Sequence, residues 1–131
     1  MRRTTKPRWN RMPTGTQTMN HLRFTIKNWN KFFDGSYKKS TIRTKEKQIG
    51  HYQADAGSHY NSIKLGEFDI IKIVGKCFGD LGNHDAISDG FNNKEELINE
   101  LMKLNGPLKD SDVVYIHYII NVKREENVIQ K

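Results

Sequence analysis

Apolar and polar positions fall into short alternating segments toward both ends of the chain, with one clearly helical stretch before the last of them. HLRFTI (residues 21–26) sets Leu22, Phe24 and Ile26 against His21, Arg23 and Thr25, the period of two that marks a half-buried strand. Asn28 to Phe33 then places Trp29, Phe32 and Phe33 at spacings of three and four, a short helical turn ended by Asp34 and Gly35. Lys39 to Arg43 reads as a second strand. If Ile42 faces the core, Ser40 joins it, while Thr41 and Arg43 share the other face. HYQADA (51–56) alternates Tyr52, Ala54 and Ala56 against His51, Gln53 and Asp55 before the Gly57 turn. LGEFDIIKIV (65–74) begins with Phe68 and Ile70 in phase and switches to Ile71 and Ile73, which predicts a bulge or a strand covered on both faces. The pattern turns helical from Asp85. Asn93 with Glu96 forms a capping-box signal, and Leu97, Leu101 and Leu104 form one stripe that stops at Gly106 and Pro107. VVYIHYIINV (113–122) closes the chain as a strand with Val114, Ile116, Tyr118, Ile120 and Val122 on one face. Because strands do not alternate with long helices, the pattern argues against a parallel doubly wound sheet. The expectation is an α+β fold, a small mixed β-barrel of five or six strands with flanking helices.

Composition narrows the function classes. A chain of 131 residues with 35% hydrophobic content suits one domain. It has no apolar run for a membrane span and no secretory signal pattern, so the expectation is a cytoplasmic protein without a membrane partner. Cys77 is the single cysteine and reads as core filler, and the five histidines show no metal-ligand spacing, so neither a metal nor a cofactor is expected. His117, in an apolar run, reads as a hydrogen-bonded core residue. The glycines at 75, 79, 82 and 90 match no nucleotide-binding loop.

The net charge of +7 is unevenly spread. Residues 1–18 carry Arg2, Arg3, Lys6, Arg8 and Arg11 and no acid, which leaves 17 basic and 15 acidic side chains for the other 113 residues. The expected organisation is a basic, disordered tail over 1–18 and a domain over 19–131. Two readings of the tail stay open: a phosphate-gripping arm, or a segment upstream of the true start at Met19.

The densest chemistry lies in GSYKKSTIR (35–43), which groups Tyr37, Lys38, Lys39, Thr41 and Arg43 behind a glycine turn. A solvated strand edge guarded by lysines is one reading. A cleft wall is the other, in which Lys38, Lys39 and Arg43 hold phosphate or a base edge and Tyr37 or Trp29 stacks a splayed base. Trp29 also reads as a core residue packed on Phe32 and Phe33. Asp89 is either a turn-former before Gly90 or an acceptor for a base amino group.

The K-x-x-T-I-R run (38–43), the strand ending KLGEFDI, and DGF followed by a capped helix (89–104) together resemble the ASCH domain, of the PUA-like superfamily. The resemblance covers residues 19–122. It implies a small PUA-like β-barrel with helices flanking a cleft, and a role in RNA binding linked to translation, RNA processing or transcription. As the alternative it implies an amidohydrolase that deacylates acetylcytidine, with Lys38 as base, Thr41 as nucleophile and Asp89 as the acid; ribonuclease activity is ascribed to the family as well. Asp89 stands where the enzymatic pattern has glutamate, and one extra residue separates Gly35 from Lys38. The expected partner is therefore RNA, a nucleotide or a modified nucleoside, bound by a monomer, with a protein-interaction module as the third class.

Overall fold

A computed structural model of the chain describes residues 20–58 and 60–125. The basic segment 1–18 lies outside the described residues. The fold is α+β, with five strands, three α-helices and one short 3-10 turn among the described residues. In chain order these are β1 (Asn20–Arg23), α1 (Ile26–Asn30), β2 (Ser40–Arg43), β3 (Gly50–Gly57), β4 (Ser62–Cys77), the 3-10 turn Phe78–Asp80, α2 (Asn83–Ser88), α3 (Lys94–Asn105) and β5 (Val113–Arg124). They form one mixed sheet in the order β1-β3-β4-β5-β2, parallel only between β1 and β3. Among the described residues no ladder joins β1 to β2, so the sheet is open between its two edges.

Local signals explain most of the element ends. β1 stops at Arg23 rather than running to Ile26, because the Thr25 hydroxyl accepts the Asn28 N–H at 3.1 Å and starts α1 there. Ile26, expected on the strand's apolar face, becomes the first helical residue and is exposed. Asn93 caps α3 by accepting from Glu96 N at 3.0 Å, while the Glu96 carboxylate reaches back to the Asn92 N–H at 3.0 Å. Gly106, at φ 82, ends the helix by donating its N–H to the Met102 carbonyl. α2 is anchored by Asp85, whose carboxylate accepts both the Gly82 N–H and the Lys76 ammonium at 3.0 Å.

Two cores result. The first joins Leu22, Phe24, Trp29, Tyr52, Phe68, Ile70 and Ile119; the second joins Ile42, Phe78, Leu81, Phe91, Leu97, Leu101, Val114 and Ile116. β5 serves both. Val114, Ile116 and Tyr118 face the second core, as the alternation predicts, but Ile119 rather than Ile120 is buried, in the first. Side chains of successive strand residues point to opposite faces, so a strand covered on both sides buries neighbours in sequence. The phase switch in β4 has a matching cause: Ile70 pairs with Ile119 and Lys72 with Tyr118, leaving Ile71 as the extra, exposed residue of an irregularity in the ladder.

Candidate functional site

The two sheet edges approach each other without pairing, and the space between them is a cleft of about 510 Å³. β1 and the start of α1 supply Arg23, Phe24 and Asn28; β2 and the residues before it supply Lys38, Thr41 and Arg43; the α2–α3 connection supplies Asp89 and Phe91. α3 closes the side with Leu97, Glu100, Leu101, Leu104 and Asn105. Sequence reasoning named the β2 residues and Asp89. It missed Phe24, Asn28, Phe91, Glu100 and the exposed Leu104, although a third leucine on a stripe that only two core positions absorb was a readable signal.

Lys38 sits ahead of β2 with its side chain 2% exposed. Its ammonium donates to the Ser40 carbonyl and the Asp89 carbonyl, each at 3.0 Å, and to Asp89 Oδ1. These three acceptors use all three N–H groups of an ammonium. Asp89 Oδ2 accepts the Ile42 N–H at 3.3 Å, which ties the α2–α3 connection to β2. Gly90 makes this approach possible. It has φ 89, and a Cβ there would lie 3.1 Å from Lys38 Cβ and 3.0 Å from Lys31 Cδ. Burial lowers the Lys38 pKa and raises that of Asp89, each toward its neutral form, and their mutual attraction opposes both shifts.

Thr41 and Arg43 share the face opposite Ile42. The Thr41 hydroxyl accepts from Arg43 Nε at 3.1 Å, not from Lys38. The Arg43 guanidinium lies 4.7 Å from the Phe24 ring centroid, bridging the two sheet edges. Among the described residues its terminal nitrogens meet no hydrogen-bond acceptor. Burial lowers its pKa to about 10, against the opposing pull of Asp89, so it stays cationic at neutral pH. His117, fully buried, fixes β2 from behind. The Lys47 N–H donates to Nε2 at 3.0 Å, so the ring proton resides on Nδ1 and is directed at the Thr41 carbonyl at 3.2 Å. Burial lowers the His117 pKa, in keeping with this neutral tautomer.

The remaining candidate residues do not share the cleft. Trp29 is 0% exposed and packs on Phe24, Phe32, Phe33 and Phe68, so it has no free face on which a base could stack. The stacking role read for Trp29 is corrected to a core role by that burial. Lys39 is exposed and does not line the cleft. Tyr37 is 79% exposed, in the turn before β2. Among the described residues no group of three or more His, Cys, Asp or Glu side chains is placed to hold a metal ion, and no helix is long and apolar enough to cross a membrane.

In comparison with known proteins, no family model matches the chain and no curated protein matches its sequence.

Proposed function

We propose that this protein binds RNA or a nucleotide in the cleft between β1 and β2, as an ASCH-type domain of PUA-like architecture acting in the cytoplasm as a monomer. On this reading the open side of the sheet is the ligand entrance of a barrel-like fold, with Arg43 on Phe24 spanning the gap. Arg43 is the observation that carries the proposal. It is a cation held 4.7 Å from an aromatic ring centroid, facing a cleft, with terminal nitrogens that meet no described acceptor. Phosphate oxygens and base edges supply the paired acceptors that a guanidinium fork engages. The volume of about 510 Å³ suits a nucleotide-sized ligand. Lys38 contributes structure in this scheme, because its three protons are already taken.

The test is fluorescence anisotropy with labelled single-stranded RNA, comparing the full chain with Arg43→Ala. Loss of one charge-assisted contact predicts weakening of about tenfold or more. Arg43→Lys keeps the charge without the flat fork and falls between the two. Unchanged binding in both variants, with unchanged melting temperature, refutes the proposal.

A second reading, an amidohydrolase acting on an acylated nucleoside, draws support from the burial that favours a neutral Lys38 beside the same cleft. It requires Lys38 to leave Asp89 and take the Thr41 proton. Release of acetate from acetylcytidine that Thr41→Ala abolishes would favour it over binding alone.

A further inference from the structure

The cleft does not end at Arg43. Phe91 and Glu100 form a wall it shares with a second hollow of about 530 Å³, which is flanked by Lys27, Lys31 and Lys103. That hollow in turn shares Ser36, Gly90, Phe91 and Asn92 with a third, which runs to Tyr37. The three hollows adjoin one another through these shared residues and line up as a groove across the α2–α3 connection.

The charges along the middle of this groove are unbalanced in a specific way. Its two carboxylates are already engaged by neutral donors: Glu96 by the Asn92 N–H and side-chain amide at 3.0 and 3.2 Å, and Glu100 by Asn28 Nδ2 at 3.0 Å. The three lysines have no such partner. Among the described residues none of them forms an ion pair with a carboxylate. Lys31 is held 3.6 Å from the Phe91 ring centroid, so its ammonium sits against the shared wall instead of trailing into solvent. Burial and the nearby Lys27 lower the Lys31 pKa against the weaker pull of Asp89, Glu100 and Glu96, and an anion placed between the two lysines would oppose that lowering further. At the far end Tyr37 offers an exposed ring.

We propose that the groove is the path of a single-stranded nucleic acid several nucleotides long, with its phosphates on Lys27, Lys31 and Lys103 and one base stacked on Tyr37. The inference rests on the cleft reading above, in which Arg43 holds one nucleotide, and extends it from a mononucleotide to a strand. Unpartnered cations spaced along a groove that ends in an exposed aromatic ring are what an unpaired strand demands, because each of its nucleotides brings one phosphate and one π-face.

The experiment uses the full chain, so that the charge of residues 1–18 is the same in every comparison. The probes are random-sequence single-stranded RNA of about ten nucleotides and the four nucleoside monophosphates, measured over a salt series. The triple variant Lys27→Gln/Lys31→Gln/Lys103→Gln is expected to weaken strand binding and leave monophosphate binding unchanged. At about 0.7 per single-strand phosphate contact, its slope of log affinity against log salt becomes shallower by about 2. Lys27→Gln/Lys103→Gln, which spares the Lys31 contact with Phe91, gives about two thirds of that change. Tyr37→Ala weakens the strand about tenfold and does not alter the salt slope.

A strand bound no more tightly than a monophosphate, or a triple variant with an unchanged slope, overturns the groove; Arg43→Ala would still impair monophosphate binding if the cleft reading holds. Normal binding by Arg43→Ala with loss in the triple variant has the opposite meaning, overturning the cleft reading and leaving the groove. Binding of neither probe by the unaltered protein overturns both.

Discussion

Removing the Asp89 carboxylate tests the central claim about the site, that Lys38 and Asp89 form a buried strut and not two independent groups. The two side chains are 2% and 7% exposed, so burial limits the access of solvent that could replace a lost partner of the Lys38 ammonium. In Asp89→Ala the ammonium keeps the Ser40 and Asp89 carbonyls but loses its counter-charge, and the Ile42 N–H loses its acceptor. Breaking a buried pair in this way costs about 3–5 kcal/mol. That is a large part of the ~5–15 kcal/mol that holds a domain of ordinary stability. Urea unfolding of the two single variants and of Lys38→Met/Asp89→Ala completes the cycle, with midpoint shifts at constant slope read as stability. The double variant removes both charges at once, so it should be more stable than the sum of the single losses predicts, by at least ~2 kcal/mol. Asp89→Asn adds a pH signature. Lys38 already has a lowered folded-state pKa, and loss of the Asp89 charge lowers it further, so the unfolded chain binds more protons between that value and about 10.5. Stability of Asp89→Asn relative to the unaltered protein therefore rises as pH climbs from the variant's Lys38 value to the unaltered protein's own lowered value, and levels off before about 10.5. Additive single losses, or an Asp89→Asn difference that does not vary with pH, would refute the strut.

Three further outcomes follow from the packing and charge. His51 lies between Asp69 and Glu67, with ring nitrogens 2.6 and 2.8 Å from their oxygens, and hydrogen bonds to these carboxylates raise its pKa. Its contribution is complete below the unfolded value of about 6.5 and is lost as pH rises through the raised folded value, so His51→Ala costs more at about pH 6 than at about pH 9. The side chain is half exposed, which keeps the effect under ~1 kcal/mol; a loss of equal size at both pH values in thermal denaturation would contradict the assignment. A Cβ at Gly66 would run into the Lys123 carbonyl oxygen and lie 2.8 Å from Trp29 Cζ2, so Gly66→Ala lowers stability by at least ~1–3 kcal/mol in urea titration. Leu97 is 0% exposed at the centre of the second core, and Leu97→Ala lowers stability by about 2–5 kcal/mol by the same assay, with full retention arguing against that packing.

Where a local rule suffices, the sequence was legible. Asn93 and Glu96 mark the start of α3, Gly106 its end, and the alternation of Tyr52, Ala54 and Ala56 marks β3, because capping and face periodicity depend on residues a few positions apart. The division of β2 into Ile42 and Ser40 on one face and Thr41 and Arg43 on the other was legible for the same reason. Where neighbours distant in sequence decide, it was not. Nothing near Ile119 announces that β5 is covered on both faces, so its burial in place of Ile120 came only with the packing.

The site divides along the same line. The sequence by itself determined the chemistry available: a lysine, a threonine and an arginine on one short strand, and an aspartate before a glycine some fifty residues later. Only the tertiary structure decided how that chemistry is distributed. It brought Asp89 against Lys38 and thereby used up the lysine's protons. It turned Trp29 into the core, left Arg43 on Phe24 as the cation facing the cleft, and aligned three lysines from two separate helical segments beside it. The physical reason is range. Rotamers, caps and alternation act across a few residues, whereas desolvation and charge pairing depend on which groups the fold brings within a few ångströms, and that is set by the whole chain at once.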